Sequence, residues 1–309
     1  MSLTKLKRAY LREAMTKAEF IEEMHKRHLC LYEYAEFMRD TDIGKIEISE
    51  GRVIMTSREG VQIICDPHDR RIAPVEILNF GTYEGAHAAM MHALAEDGFT
   101  ILDIGANVGY YAIRLAKQLP HARVLAFEPI PKTFDDLQKN IALNGITNVS
   151  VFNLGLSDRN EVTTFYCARG SSVSASAAQF NPENNRKVVC PVKRLDDFVK
   201  TYPCVVDLLK CDVEGAEYLV FQGAIETLRK DKPIIVTEML RKWSAKFHYH
   251  PNDIIDFLGR LGYRCFTAEN QHLRPFETMD ETTVETNFFF LHREKHRANI
   301  SQRMVRKCA

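Results

Sequence analysis

The sequence predicts a doubly wound, mostly parallel α/β sheet covered by helices on both faces, with an antiparallel last strand. N-terminal helices and a small β-meander precede it. Three observations carry the prediction. Short apolar runs alternate with stretches at helical spacing from Phe99 to Leu291. The run 100–104 breaks into Gly105-Ala106-Asn107-Val108-Gly109 before helical spacing resumes at Tyr110, the strand–turn–helix opening of a nucleotide-binding βαβ unit. Five runs end in an acid: Asp103, Glu128, Asp158, Asp212 and Glu238. In such sheets ligands gather at the carboxyl ends of the strands.

Each element follows from its own pattern. Residues 4–39 read as two helices, the second opened by the capping-box signature Thr16-x-x-Glu19. Leu6, Tyr10 and Ala14 share a face, and Phe20, Met24 and Leu31 continue an apolar stripe suited to the chain's own domain or to a second copy. Residues 44–66 alternate at period two around Glu50-Gly51 and Glu59-Gly60, an antiparallel meander. Residues 67–74 read as a turn-rich link, and Gly81-Thr82-Tyr83-Glu84 leads into a helix reaching residue 95. Strands are expected at 100–104, 123–127, 149–154, 205–209 and 234–237, with helices at 110–118, 132–143, 216–229 and 251–261. Residues 162–168 and 188–192 are strand-like around a Ser-rich segment, 170–178. Strands at 263–267 and 288–291, joined by a long loop, place an antiparallel strand at the sheet edge; the basic tail after His292 should fray. The expected division is 1–79, helices and meander; 80–292, the sheet domain; 293–309, the tail.

Composition narrows the classes of function. The 309 residues suffice for one large domain with an extension. Basic and acidic residues balance at 41 each, so no global field favours nucleic acid or an anionic membrane. No apolar run reaches membrane-span length and no secretory h-region follows the charged start, so a cytoplasmic location is expected. The eight cysteines are scattered without a C-x-x-C pair and read as reduced residues.

The glycine loop is the most informative stretch. A dinucleotide fingerprint is G-x-G-x-x-G, and Asn107 stands where its middle glycine belongs. Asp103, at the strand end, repels a pyrophosphate and attracts an ammonium. A ligand with an amine, a carboxylate and a ribose fits this better than a nicotinamide dinucleotide does, and S-adenosylmethionine is such a ligand. Glu128 lies 19 residues beyond Gly109 (128 − 109), where the second strand of a βαβ unit sets an acid against ribose hydroxyls. Asp158, in Gly155-Leu156-Ser157-Asp158, reads equally as a turn former.

Together DIGANVGYY, AFEPIPKTFDDLQKNIALNG, LGLSD and KCDVEGAE resemble the FkbM-type family of S-adenosylmethionine-dependent class I methyltransferases, over about residues 80–292. The resemblance implies a seven-stranded Rossmann-like sheet and O-methylation of a sugar or polyketide-like hydroxyl. It implies that Asp103, Gly105, Asn107 and Gly109 hold the methionine part of the cofactor, Glu128 the ribose, and Asp158 the adenine end. Glu84 matches an acid that often precedes the first strand in this family.

Methyl transfer to an alcohol needs alignment, exclusion of water and removal of a proton. Asp212 and Glu238 end adjacent central strands and are candidates for that proton and for holding Mg2+; Asp212 and Glu214 equally suit the start of a helix. His248, in the loop after residue 238, is a candidate base. Ser171, Ser172 and Ser174 suit hydroxyl contacts with a sugar. The expected partner is a small-molecule or glycan hydroxyl acceptor, without nucleic acid or a membrane span, and with a homo-oligomer through the N-terminal helices as an option. The alternatives are a non-catalytic binding module on the same fold and a nucleic-acid methyltransferase; the latter lacks a basic stripe and the Asn/Asp-Pro-Pro-aromatic tetrapeptide used on flipped bases.

Overall fold

A computed structural model describes residues 1–83, 85–168, 175–178, 185–269 and 271–304. Glu84 and the serines 171, 172 and 174 therefore lie outside the described residues.

Two helices, α1 (Leu3–Leu11) and α2 (Lys17–Phe37), open the chain. The Thr16–Glu19 capping box forms in both directions, and Tyr10 stacks on Phe20 with ring centroids 4.7 Å apart. No side chain of α2 is fully buried: Phe20 and Met24 of its apolar stripe are half-buried and Leu31 is exposed. The meander β1 (Ile43–Ser49), β2 (Arg52–Ser57) and β3 (Gln62–Cys65) follows as expected. Next come α3 (Ala73–Phe80) and α4 (Gly85–Leu94). Sequence reasoning took Pro74 for part of a link; it sits in the first turn of α3, where a missing N–H costs nothing.

The remaining elements are β4 (Thr100–Ile104), α5 (Tyr110–Gln118), β5 (Arg123–Phe127), α6 (Pro131–Leu143), β6 (Val149–Phe152), β7 (Gly155–Leu156), β8 (Glu161–Ala168), β9 (Ala175–Ser176), β10 (Asn185–Lys193), α7 (Leu195–Thr201), β11 (Leu208–Cys211), α8 (Glu217–Gln222), α9 (Ile225–Asp231), β12 (Ile234–Glu238), α10 (Arg241–Ser244), α11 (Pro251–Arg260), β13 (Tyr263–Glu269), β14 (His272–Phe276), β15 (Asn287–His292) and α12 (Arg297–Arg303). The main sheet runs β14-β13-β15-β12-β11-β4-β5-β6. Strands β12, β11, β4, β5 and β6 are mutually parallel, and β15 runs antiparallel between β12 and β13. The doubly wound sheet of the sequence reading is present, with three differences.

First, the antiparallel strand is interior. Asn287–His292 is buried at every position; Phe288 and Phe290 face one core, Phe289 and Leu291 the other. A strand that apolar on both sides belongs between neighbours, not at an edge. Second, an eighth strand, β14, forms the edge instead; its Pro275 hid it from the pattern and is tolerated there because an edge strand can lack a donor. Third, the described part of the tail, to residue 304, is ordered: α12 buries Ile300, and Met304 bridges to Leu273.

The meander is docked by side-chain amides. Asn140 on α6 accepts from Ile64 N–H at 2.9 Å and donates to the Val108 carbonyl at 2.9 Å. Asn144 accepts from Gln62 N–H and returns a bond to its carbonyl. Backbone groups on the free side of β3 are thus satisfied without another strand, and Ile43, Val61, Ile63 and Ile77 share a core with Val108, Tyr110 and Ile113. The N-terminal extension is thereby fixed against the glycine loop. Strands β8 and β10 form a separate sheet with β7 and β9.

Candidate active site

Backbone contacts at the strand ends shape the cleft. Gly105 adopts a φ of +80°, and a Cβ there would overlap the Asp212 carbonyl oxygen. Only glycine lets the end of β4 lie this close to the end of β11. Asn107 also adopts a left-handed φ, +51°, and its Oδ1 accepts from Val108 N–H at 2.7 Å. At Gly109 (φ +92°), outside the cavity walls, a Cβ would collide with Leu137 of α6.

Glu128 is buried. Its Oε2 accepts from Asn107 N–H at 3.1 Å and its Oε1 from Ile130 N–H at 2.9 Å. Asn153 secures the turn by donating to the Glu128 and Pro129 carbonyls, both at 2.9 Å. Burial pushes the Glu128 carboxyl up to about 7 despite these donors.

Two cavities meet here. One, of about 370 Å³, is lined by Gly105, Asn107, Glu128, Lys210, Asp212 and Glu238 from the strand ends, and by Arg71, Glu76, Phe80 and Tyr83 from the N-terminal extension. The second, of about 220 Å³, is lined by Leu156, Asp158, Phe247 and apolar neighbours. Gly105, Pro129, Phe165 and Val213 belong to both walls. Burial pushes Asp158 up, but hydrogen bonds from Arg159 and Ser157 outweigh it and hold the carboxyl below its ordinary range. Gly223, at the α8–α9 break, presses on the Ser157 carbonyl and so positions that turn.

The family model described as Methyltransferase FkbM domain matches residues 103–265, 163 of the 309. The chain belongs to the FkbM methyltransferase family. It is 35% identical over 147 residues to Methyltransferase 1 of Beauveria bassiana, covering 41% of this chain and 59% of that one. It is 30% identical over 169 residues to 2-O-methyltransferase NoeI of Sinorhizobium fredii, covering 49% and 68%. The chain thus spans less than two thirds of the fungal relative. A solved FkbM methyltransferase from Methylobacillus flagellatus superposes with a TM-score of 0.41 at 16% identity, over 73% of this chain and 55% of that one. No helix among the described residues is long and apolar enough to cross a membrane.

In this FkbM domain the expected residues are distributed unevenly. Gly105, Asn107, Glu128, Asp212 and Glu238 line one cavity, and Asp158 lines the other. Asp103 lies beneath, fully buried. His248 is exposed with a φ of +60° and lines neither cavity. Among the described residues no group of three or more His, Cys, Asp or Glu is placed to hold a metal. The Mg2+ expectation at Asp212 and Glu238 meets a physical obstacle: the Lys210 ammonium already stands 3.5 Å from Asp212 Oδ2. An ammonium at that distance repels a dication, and two carboxylates alone fall short of a magnesium shell.

Sequence reasoning passed over three residues. Glu217 reads as a helix-start acid, yet its buried Oε1 accepts from both Val213 and Gly215 N–H at 3.0 Å, and its Oε2 lies 3.2 Å from the Tyr249 hydroxyl. Burial pushes its carboxyl up to about 7. This clamp straddles Glu214, which lines the cavity with a strained φ of +55° and whose carboxyl burial pushes up to about 8. Lys210, the third, was hidden inside an apolar run. Its signal was there: K-x-D at the end of a strand sets Lys210 two residues before Asp212.

Proposed function

We propose that the chain is an S-adenosylmethionine-dependent O-methyltransferase acting on a hydroxyl of a sugar, glycan or polyketide-like small molecule. The observation that carries this is a buried Asp103 on β4 beside a buried Glu128 at the end of β5, with Gly105 and Asn107 of the intervening loop lining the same cavity as Glu128. Asp103 suits the cofactor's ammonium, Glu128 its ribose hydroxyls, and the apolar cavity beside Asp158 its adenine. The cofactor supplies a methyl group already activated on a sulfonium. The chain's own part is to align the acceptor oxygen, exclude water and take the hydroxyl proton. Asp212 and Glu238 line the acceptor end and are assigned that proton; His248 lines neither cavity and is not. Arg71, Glu76, Phe80 and Tyr83 wall the same end, which gives the N-terminal extension a part in choosing the acceptor. NoeI, a 2-O-methyltransferase by name, supports a hydroxyl acceptor.

The test is titration calorimetry of the purified chain with S-adenosylhomocysteine and, separately, with NADH. Micromolar binding of the first alone supports the reading. Failure of folded, ligand-free protein to bind it refutes the reading.

A further inference from the structure

Two carboxylates in this site share one ammonium. Lys210 and Asp103 are register partners on the parallel pair β11–β4, so their side chains leave the sheet on the same face. Asp212 follows two residues on, just past the end of β11. Lys210 Nζ stands 3.4 Å from Asp103 Oδ1 and 3.5 Å from Asp212 Oδ2. It also lies over the Tyr111 ring, 5.1 Å from the centroid. The lysine side chain is 10% exposed and that of Asp103 fully buried, and among the described residues neither Asp103 carboxylate oxygen has a hydrogen-bond partner. With both carboxylates ionised the trio is one cation short, and burial pushes the Asp103 carboxyl up despite Lys210. Among the described residues the one other cation in the cavity lining, Arg71, pairs with Glu76 at 3.2 Å.

We infer that Lys210 is a transferable counter-ion: it covers Asp103 until a ligand ammonium arrives there, then serves Asp212 alone at the acceptor end. This rests on the proposed seating of the cofactor's amino-acid end at Asp103. A lysine suits the task, being a point charge on a flexible four-carbon stem that can change partners by small rotations. The ligand ammonium closes the charge balance, with two cations against two carboxylates. Lys210 is thus a positioning residue. It competes with the cofactor's ammonium for Asp103, and it reaches its final place beside Asp212 only once the cofactor is bound. The order of binding that follows is cofactor first, acceptor second.

Calorimetry on the full chain tests this with two probes: S-adenosylhomocysteine, which carries the ammonium, and 5′-methylthioadenosine, the same nucleoside without the amino acid. In Lys210→Met the competitor is gone. S-adenosylhomocysteine should bind roughly fivefold or more tightly, the low end of an ordinary coupling between sites. Methylthioadenosine should change by less than about twofold, the usual scatter for uncoupled sites. On an Asp103→Asn background the same lysine substitution should leave S-adenosylhomocysteine affinity unchanged. Weaker or unchanged homocysteine binding in Lys210→Met, with methylthioadenosine unaffected, overturns the inference, because the lysine then holds the ligand carboxylate or plays no part. If the wild-type chain binds neither probe, the cofactor reading fails, and the inference with it. Lys210→Gln gives the same comparison should the methionine variant not melt cooperatively.

Discussion

Replacing Glu217 with glutamine separates two jobs that one buried carboxyl performs. The first is to accept hydrogen bonds from Val213 and Gly215 N–H, which the glutamine carbonyl can continue. The second is a pH-dependent cost. Burial raises the carboxyl from 4.5 to about 7 in the folded chain. Between those values the folded state holds a proton that the unfolded state has released, so stability falls as pH rises through this window. From pH 5 to pH 8 the loss from this group is about 2–3 kcal/mol, since each tenfold difference in proton affinity between the two states is worth about 1.4 kcal/mol. Urea unfolding of wild type and Glu217→Gln at both values measures it. The two proteins should be similar in stability at pH 5, and the variant more stable by about 2 kcal/mol at pH 8. An equal destabilisation of the variant at both values would refute the reasoning, because Glu217 would then be ionised throughout and held by its donors. Glu217→Ala leaves two buried N–H groups without an acceptor, about 1–3 kcal/mol each, and should be destabilised at both values.

Gly105→Ala should lower stability by several kcal/mol and abolish S-adenosylhomocysteine binding, since the new Cβ meets the Asp212 carbonyl at a left-handed φ; thermal melting and calorimetry read the two effects. Glu128→Gln should weaken binding of the same ligand by about 10- to 100-fold, the worth of hydrogen bonds to a charged acceptor; an unchanged affinity would remove Glu128 from the ribose role. Glu238→Ala should keep that affinity within about threefold and lose turnover by about 10²-fold or more, the ordinary share of a group that moves a proton. Loss of binding in that variant would reverse the division between cofactor and acceptor ends.

The cavity residues of the β4–β5 turn were legible because their pattern is local. A strand, a glycine turn and an acid about twenty residues on are close in sequence, and the backbone holds them in fixed relation, so reading along the chain recovers Gly105, Asn107 and Glu128 together. What sequence missed depends on contacts between strands. Lys210 lies in an apolar run, and nothing along the chain shows that its register partner is Asp103, 107 residues earlier. Glu217 looks like any acid in the first turn of a helix, and only folding reveals that its carboxylate turns back to clamp the loop behind it. The edge strand β14 was hidden by a proline that the pattern treats as a breaker, and the interior place of β15 by sequence order. The acceptor end was harder still. Its walls come from an extension whose docking rests on Asn140 and Asn144, two amides that read as ordinary polar positions of a helix. Those amides satisfy the free side of β3 and, through the Val108 carbonyl, hold the glycine loop as well. The cavity walls supplied by the extension are thus fixed in place by the same helix that packs behind the glycine loop, so on the proposed function a change that disturbs Asn140 should be felt in cofactor affinity as well as in acceptor choice.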